Sequence, residues 1–193
     1  MKFNRFKVFF CSFTKVDCMF EKEKFDEVFD IMEEAFPKNE YRIYEEQKKL
    51  LDNDKYFIDV EVDENKKILG FMASWEFENF IFIEHIAVSK ESRGKGIGSK
   101  MLKKYVNSTN LPLILEVEPD TDDLCKRRIK FYERLGFCLN MYSYSQPPLR
   151  VNESELPLYI MSYPRELNLD EFEIVKEKIH NNVYLKNKTA SIF

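Results

Sequence analysis

Three of the chain's five glycines lie within five residues, in the run Arg93-Gly94-Lys95-Gly96-Ile97-Gly98-Ser99. A glycine-rich turn between a strand and a helix gathers several main-chain N–H groups where the helix dipole is positive, which suits a phosphate or pyrophosphate. A missing Cβ lets the backbone approach such a ligand and adopt positive φ. A tight turn with no ligand is the competing reading, and glycine spacing alone does not separate the two. A second candidate group is Glu84, in Phe82-Ile83-Glu84-His85-Ile86-Ala87-Val88. Strand alternation places it with Phe82, Ile86 and Val88, a lone carboxylate on an apolar stripe, and puts His85 on the opposite face. Burial in that setting raises a carboxyl pKa towards that of a useful base. Cys11, Cys18, Cys125 and Cys138 lack Cys-x-x-Cys spacing, and only His85 and His180 accompany them. No zinc site is expected, and the cysteines read as reduced packing residues.

The elements that must position these groups follow from periodicity. Phe25, Val28, Phe29, Met32, Ala35 and Phe36 recur at helical spacing and Pro37 ends the run. A second helix is predicted from Tyr41 to Leu51. The period then changes to strand over Tyr56 to Val62, Ile68 to Phe77 and Phe80 to Val88, with turns at Asp63-Glu64-Asn65-Lys66 and Glu78-Asn79. Met101, Leu102, Tyr105 and Val106 extend a helix after the glycine loop. Leu113 to Val117 is a short apolar run typical of a strand buried on both faces. Leu124, Phe131 and Leu135 mark a stripe of the next helix, which Gly136 ends. Phe137 to Tyr144 and Leu158 to Tyr163 form a strand pair around Pro147-Pro148. Asn168, with Glu171 three residues on, caps a last helix whose buried side is Phe172, Val175, Ile179 and Val183.

The expected order is β-α-α-β-β-β-α-β-α-β-β-α, an α/β (α+β) fold with a mixed sheet and helices on both faces. A length of 193 residues suits a single domain spanning 1–193. A net charge of −4 argues against a nucleic-acid partner bound through a broad basic face. Lys2, Arg5 and Lys7 ahead of Val8-Phe9-Phe10 superficially resemble a signal peptide, but Ser12, Thr14 and Lys15 break the apolar stretch. That segment is read as the first strand, no membrane span is expected, and the protein is expected to be cytoplasmic.

Which phosphate loop this is can be counted. A Walker A loop and a dinucleotide fingerprint each need a glycine where Ser99 stands. The run fits Arg-x-x-Gly-x-Gly from Arg93 to Gly98. It follows a strand ending Glu84-His85-Ile86-Ala87-Val88, and Phe131-Tyr132-Glu133-Arg134-Leu135-Gly136-Phe137 comes about thirty residues later. With these two blocks and this order of elements, the chain resembles the GNAT superfamily of N-acetyltransferases from about residue 6 to residue 163, with only the last helix, over 168–188, outside.

The resemblance implies a GNAT-like, mostly antiparallel sheet and acetyl-CoA as acetyl donor. It places the backbone of Ile86, Ala87 and Val88 along the pantetheine arm, aimed to stabilise charge on the thioester oxygen as an oxyanion hole does. It puts Gly94, Gly96, Ile97, Gly98 and Ser99 around the pyrophosphate, with Arg93 and Lys95 adding positive charge. Tyr132 matches the tyrosine that protonates the departing thiolate, against the alternative of an amphipathic core residue. Glu84 stands where a base would take the proton of an ammonium substrate, often through a water. The alternatives are a structural Glu paired with Arg or Lys, or one that holds the substrate. Cys125 and Arg128 replace a family Asn and Ala, so Arg127 or Arg128 is expected to reach a CoA phosphate instead. Glu40, Tyr41, Arg42, Tyr142, Tyr144 and the loop from Gln146 lie where the family builds its acceptor site, with Glu76 and Glu78 on the adjacent hairpin. The implied reaction is direct acetyl transfer to a primary amine in a ternary complex. A silent CoA-binding module and a scaffold without nucleotide are the alternatives. The last helix is either a homodimer contact or a cover for the sheet.

Overall fold

The computed structural model describes residues 22–184. The expected first strand, with Cys11 and Cys18, lies outside them. Helix α1 spans Phe25–Ala35 and buries Phe25, Val28, Phe29, Ile31 and Met32, the face its spacing predicts. Phe36, held extended at φ −122° and ψ 144° ahead of Pro37, stops it. Helix α2, Tyr44–Lys49, is shorter than the predicted Tyr41–Leu51, because Tyr41 and Arg42 turn to other partners and Ile43 stands extended as its N-cap. The ring of Tyr41 is buried 5.8 Å from that of Phe29, and the guanidinium of Arg42 turns into the protein interior.

Strands β1 (Tyr56–Val62), β2 (Ile68–Glu76) and β3 (Ile81–Val88) form an antiparallel meander. Helix α3 (Ile97–Ser108) follows the glycine loop and returns the chain to β4 (Leu113–Val117), parallel to β3. Helix α4 (Asp123–Glu133) leads to β5 (Cys138–Gln146) and β6 (Leu156–Tyr163), and α5 (Leu169–Asn182) ends the described chain. The sheet order is β1-β2-β3-β4-β6-β5, so β6 returns to lie against β4 and β5 forms the edge.

Each face of the sheet has its own apolar core. One joins α1 and α5 to Phe71, Trp75, Phe82, Ile114 and Ile160; the other joins α3 and α4 to Met72, Ile83, Leu115 and Met161. The mixed fold with helices on both faces is therefore found as expected. The stripe predicted for α4 is not. Leu124 is 58% exposed, and the buried residues are Cys125, Ile129 and Tyr132. Cysteine and tyrosine count as core here, and their spacing of four and then three residues sets the true face.

Helix α5 is a sheet cover. Phe172, Val175, Ile179 and Val183 are all buried in the first core, each contributing about 1.5–3 kcal/mol. Its start carries a complete capping box: Asn168 accepts from the Glu171 N–H at 2.9 Å and Glu171 accepts from the Asn168 N–H at 3.0 Å. Replacing Asn168 with Ala should lower unfolding free energy by about 1 kcal/mol in urea titrations. An unchanged midpoint would mean that packing alone sets the start of α5.

Candidate active site

Strands β3 and β4 pair only at Ile81↔Leu113, Phe82↔Ile114 and Ile83↔Leu115. Beyond that point β4 stays with β6 as far as Val117↔Tyr159, while β3 stays with β2 as far as Gly70↔Val88. A fork opens between them. The Ser89 N–H bonds the Leu69 carbonyl at 2.9 Å, so antiparallel alternation turns the amides of Ile86 and Val88 away from β2, into the fork. At its outer end the side chain of Val88 lies between Gly70 and Gly98. A Cβ at Gly70 would meet the Ala87 carbonyl oxygen at 2.8 Å, so only glycine lets β2 approach this strand so closely.

Two continuous cavities fill the fork, of about 390 and 540 Å³. Both are lined by Ile86, Ala87, Val88, Arg93, Leu124, Arg128 and Tyr132. The larger one continues to Gly94, Gly96, Ile97, Gly98, Ser99 and Arg127. Gly94 and Gly96 sit at φ +77° and +75° with open space where a Cβ would stand. That conformation is nearly confined to glycine, and it bares the backbone on the ligand side. Gly96 is the N-cap of α3, whose first turn holds no acidic residue and has its N–H groups pointing outward. This geometry fits a pyrophosphate. Arg93 donates to the Val88 carbonyl at 3.3 Å, whereas Lys95 is exposed and does not line the cleft. Arg128 lines it but is ion-paired with Glu118, which also receives the Cys125 thiol at 3.6 Å.

The smaller cavity runs inward to Glu40, Glu84, Glu116, Glu118 and Gln146. Here two expectations about Glu84 fail. Ala73 pairs with His85 and Ser74 with Ile83, so Glu84 is the extra residue of a β-bulge. The bulge breaks alternation. Glu84 stays on the face of Phe82 and Trp75, while Ile86 packs into the opposite core. His85, expected opposite to Glu84, turns to the same side. Its Nε2–H donates to the Glu40 carbonyl at 2.9 Å, and its ring meets Phe36 edge-on. Burial lowers the His85 pKa and keeps the ring neutral.

The second failure concerns charge. The side chain of Glu84 is only 3% exposed, and Arg42 Nη1 donates to one of its oxygens at 2.6 Å. The Trp75 indole N–H donates to the other at 2.8 Å. Burial opposes ionisation, but the guanidinium and the indole outweigh it and hold the carboxyl below its ordinary pKa. Glu84 is paired with an arginine, the arrangement given as the alternative reading. Arg42 also donates to the Val183 carbonyl at 2.8 Å and to Gln47 at 3.5 Å.

Glu116 was missed. It stands one residue past the last β3–β4 pair, opposite Glu84 across the fork, inside an otherwise apolar strand. The Tyr144 hydroxyl donates to one carboxylate oxygen and the Tyr184 hydroxyl to the other, the latter at 2.6 Å. No cation bonds it among the described residues. Burial pushes its pKa up to about 7, aided by the charges of Glu84 and Glu40, although the two tyrosines act the other way. Burial and the nearby Glu118 likewise bring Glu40 to about 7. A lone carboxylate in Leu113-Ile114-Leu115-Glu116-Val117 was the available signal, the same one that singled out Glu84.

Tyr132 lies where the two cavities meet, and burial raises its phenol to about 12, so it remains protonated at neutral pH. Of the residues expected near the acceptor, Glu40 and Gln146 line the cleft, Tyr144 holds Glu116, and Arg42 is committed to Glu84. Tyr41 is core, and Tyr142 bonds the Leu167 carbonyl at 3.3 Å. Glu76 and Glu78 are exposed and do not line the cleft. Among the described residues no group of side chains could hold a metal ion, and no helix is long and apolar enough to cross a membrane.

A forked parallel pair with a glycine turn at its mouth defines an acyl-carrier-binding acetyltransferase fold. The model of the acetyltransferase (GNAT) family matches residues 25–137, and the chain belongs to that family. The Bacillus subtilis protein YjbC, named as an acetyltransferase, is 34% identical over 123 residues, which span 62% of either chain. A Bacteroides thetaiotaomicron structure named as a GNAT-family acetyltransferase superposes with TM-score 0.78 at 29% identity, covering 84% of this chain and 92% of that one. An aminoglycoside 6′-N-acetyltransferase solved with coenzyme A shares the fold at TM-score 0.50 and 19% identity, covering 74% of this chain and 92% of its own.

The buried Arg42–Glu84 pair generates a stability prediction. Arg42→Met leaves a buried carboxylate without its cation and should cost about 3–5 kcal/mol in chemical denaturation. Adding Glu84→Leu should restore most of that loss, and a double variant no better than the single one would contradict this account.

Proposed function

We propose that the protein transfers the acetyl group of acetyl-CoA to a primary amine by direct attack, with both substrates in the cleft together. The observation that carries this reading is the stretch of β3 at Ile86 and Val88 that has no β4 pairing among the described residues. It lies between a bare glycine turn at one end and a carboxylate near neutral pKa at the other. Acetyl-CoA supplies the acyl group as a thioester. The turn from Gly94 to Ser99 holds the pyrophosphate, with Arg93 beside it, and Arg127 and Arg128 line the same channel. The free amide of Val88 or Ile86 faces the thioester oxygen as negative charge develops there.

An ammonium must lose a proton before its nitrogen can attack. In this reading Glu116 takes that proton, and Glu84 holds Arg42 and the bulge in place. Its ion pair with Arg42 and its lowered pKa support that assignment over the base role. As the new C–N bond forms and the C–S bond breaks, Tyr132 gives its proton to the departing sulfur, and the nitrogen sheds its second proton to the resulting phenolate as it becomes the amide. A thiol pKa near 8.5 makes the thiolate a fair leaving group, so this acid is helpful rather than decisive. Glu40, half-buried and without a bonded cation among the described residues, favours a positively charged acceptor. A silent CoA-binding module is the second reading, since the same amides and turn would serve it.

A panel of amines monitored by free-thiol release tests the proposal. Turnover should appear with at least one amine, with kcat/KM rising with pH through about 7 as Glu116 ionises. Glu116→Gln should lower kcat/KM by about 10²–10³ at pH 8, and Tyr132→Phe should slow kcat about tenfold to hundredfold. Gly96→Glu should abolish acetyl-CoA binding in calorimetry by placing a side chain and a negative charge in the turn. Tight binding with no turnover across the panel would favour the silent module.

A further inference from the structure

We infer that the end of α5 is a working part of the acceptor half of the cleft, where Tyr184 is a positioning residue that fixes the carboxylate of Glu116. The inference rests on Glu116 as the proton acceptor, but it concerns a segment beyond the stretch that the family model matches, residues 25–137. Two consecutive residues past α5 each bind one side of the fork. The Val183 carbonyl accepts from Arg42 at 2.8 Å, and Arg42 pairs with Glu84 on β3. The Tyr184 hydroxyl donates to Glu116 on β4 at 2.6 Å. Glu84 and Glu116 are the first residues past the last β3–β4 pair, so α5 ties the apex of the fork from both sides.

A carboxylate with one rotatable end can swing about its side-chain torsions, and a single hydrogen bond from Tyr144 would leave it that freedom. Two phenols from different elements, one on each oxygen, fix the plane of the group. Both donate, so both favour the ionised form that accepts a proton. The other groups around Glu116 are Glu84 on β3, with Arg42 beyond it, and Glu40 ahead of α2. His180 of α5 packs on the rings of both tyrosines, at 5.4 and 6.3 Å, with its Nε2 3.0 Å from the Ser145 carbonyl. Of these, only the tyrosines hydrogen-bond to the carboxylate. Val183 is buried in the core with α5, so the position of Tyr184 is set by sheet packing.

Tyr184→Phe keeps the ring and removes the hydroxyl. With 1,4-diaminobutane as probe amine, the acid limb of kcat/KM should move about half a unit to one unit higher. That lowers activity about three- to tenfold at pH 6 and leaves it near parental at pH 9. Tyr105→Phe, whose hydroxyl bonds the Ser74 hydroxyl instead, should leave the limb in place. A second readout needs no acceptor: titration of carboxyl-labelled glutamate by NMR, with the Glu116 signal assigned by its loss in Glu116→Gln. The Glu116 midpoint should rise by the same amount in Tyr184→Phe. An unmoved midpoint, or a loss of activity equal at every pH, overturns the inference. Full activity in Glu116→Gln would instead remove the base assignment, while the titration would still decide whether Tyr184 holds the carboxylate.

Discussion

The parting of β3 from β4 after Ile83 and Leu115 is the constraint on which the rest depends. Two adjacent parallel strands normally satisfy, along their whole length, the alternate amides that face each other. Here pairing ends after three residues, and the freed main chain must find other partners or face a cleft. The fold makes this tolerable by giving each strand a second neighbour that does not let go, β2 for β3 and β6 for β4. The gap is then held open by rigid sheet on both sides and needs no mobile loop. Its lining mixes the apolar Ile86, Val88 and Leu124 with the arginines Arg93 and Arg128, and gives way to carboxyls at the inner end.

At the apex stand two carboxylates with opposite fates. Glu84 and Glu116 occupy equivalent steps past the last pair, and both are at least half-buried. Glu84 has Arg42 and the Trp75 indole, so it is ionised and committed. Glu116 has two phenols and no cation, so desolvation prevails and its pKa rises to about 7. Partners rather than burial distinguish them. A buried ion pair of the Arg42–Glu84 kind adds little net stability, since desolvation offsets most of the attraction. Here it joins the bulge, α2 through Gln47 and the end of α5 into one unit.

The same logic explains how a helix that looks peripheral reaches the fork. The amphipathic face of α5 drives its docking, and the capping box fixes where it starts. Once those are set, its far end arrives at the fork whether or not the chain was selected for chemistry there. Val183 and Tyr184 place a carbonyl and a phenol where Arg42 and Glu116 need partners.

From the sequence alone, most of the described elements and the glycine turn were legible, because both are written in local patterns. Strand β1 runs from Tyr56 to Val62 as predicted, the buried stripe of α5 is as predicted, and the glycine turn carries the positive φ angles its residues imply. Backbone geometry and nearby spacing determine such features. The inner end of the cleft was not legible, because it is made of long-range pairings. One residue of bulge put His85 beside Glu84, Arg42 came from 42 residues away to take the Glu84 charge, and Tyr184 came from 68 away to hold Glu116. Which residue types sit on a strand is a property of the chain. Which of them keeps a proton depends on the charges and donors that tertiary packing brings within about 3 Å.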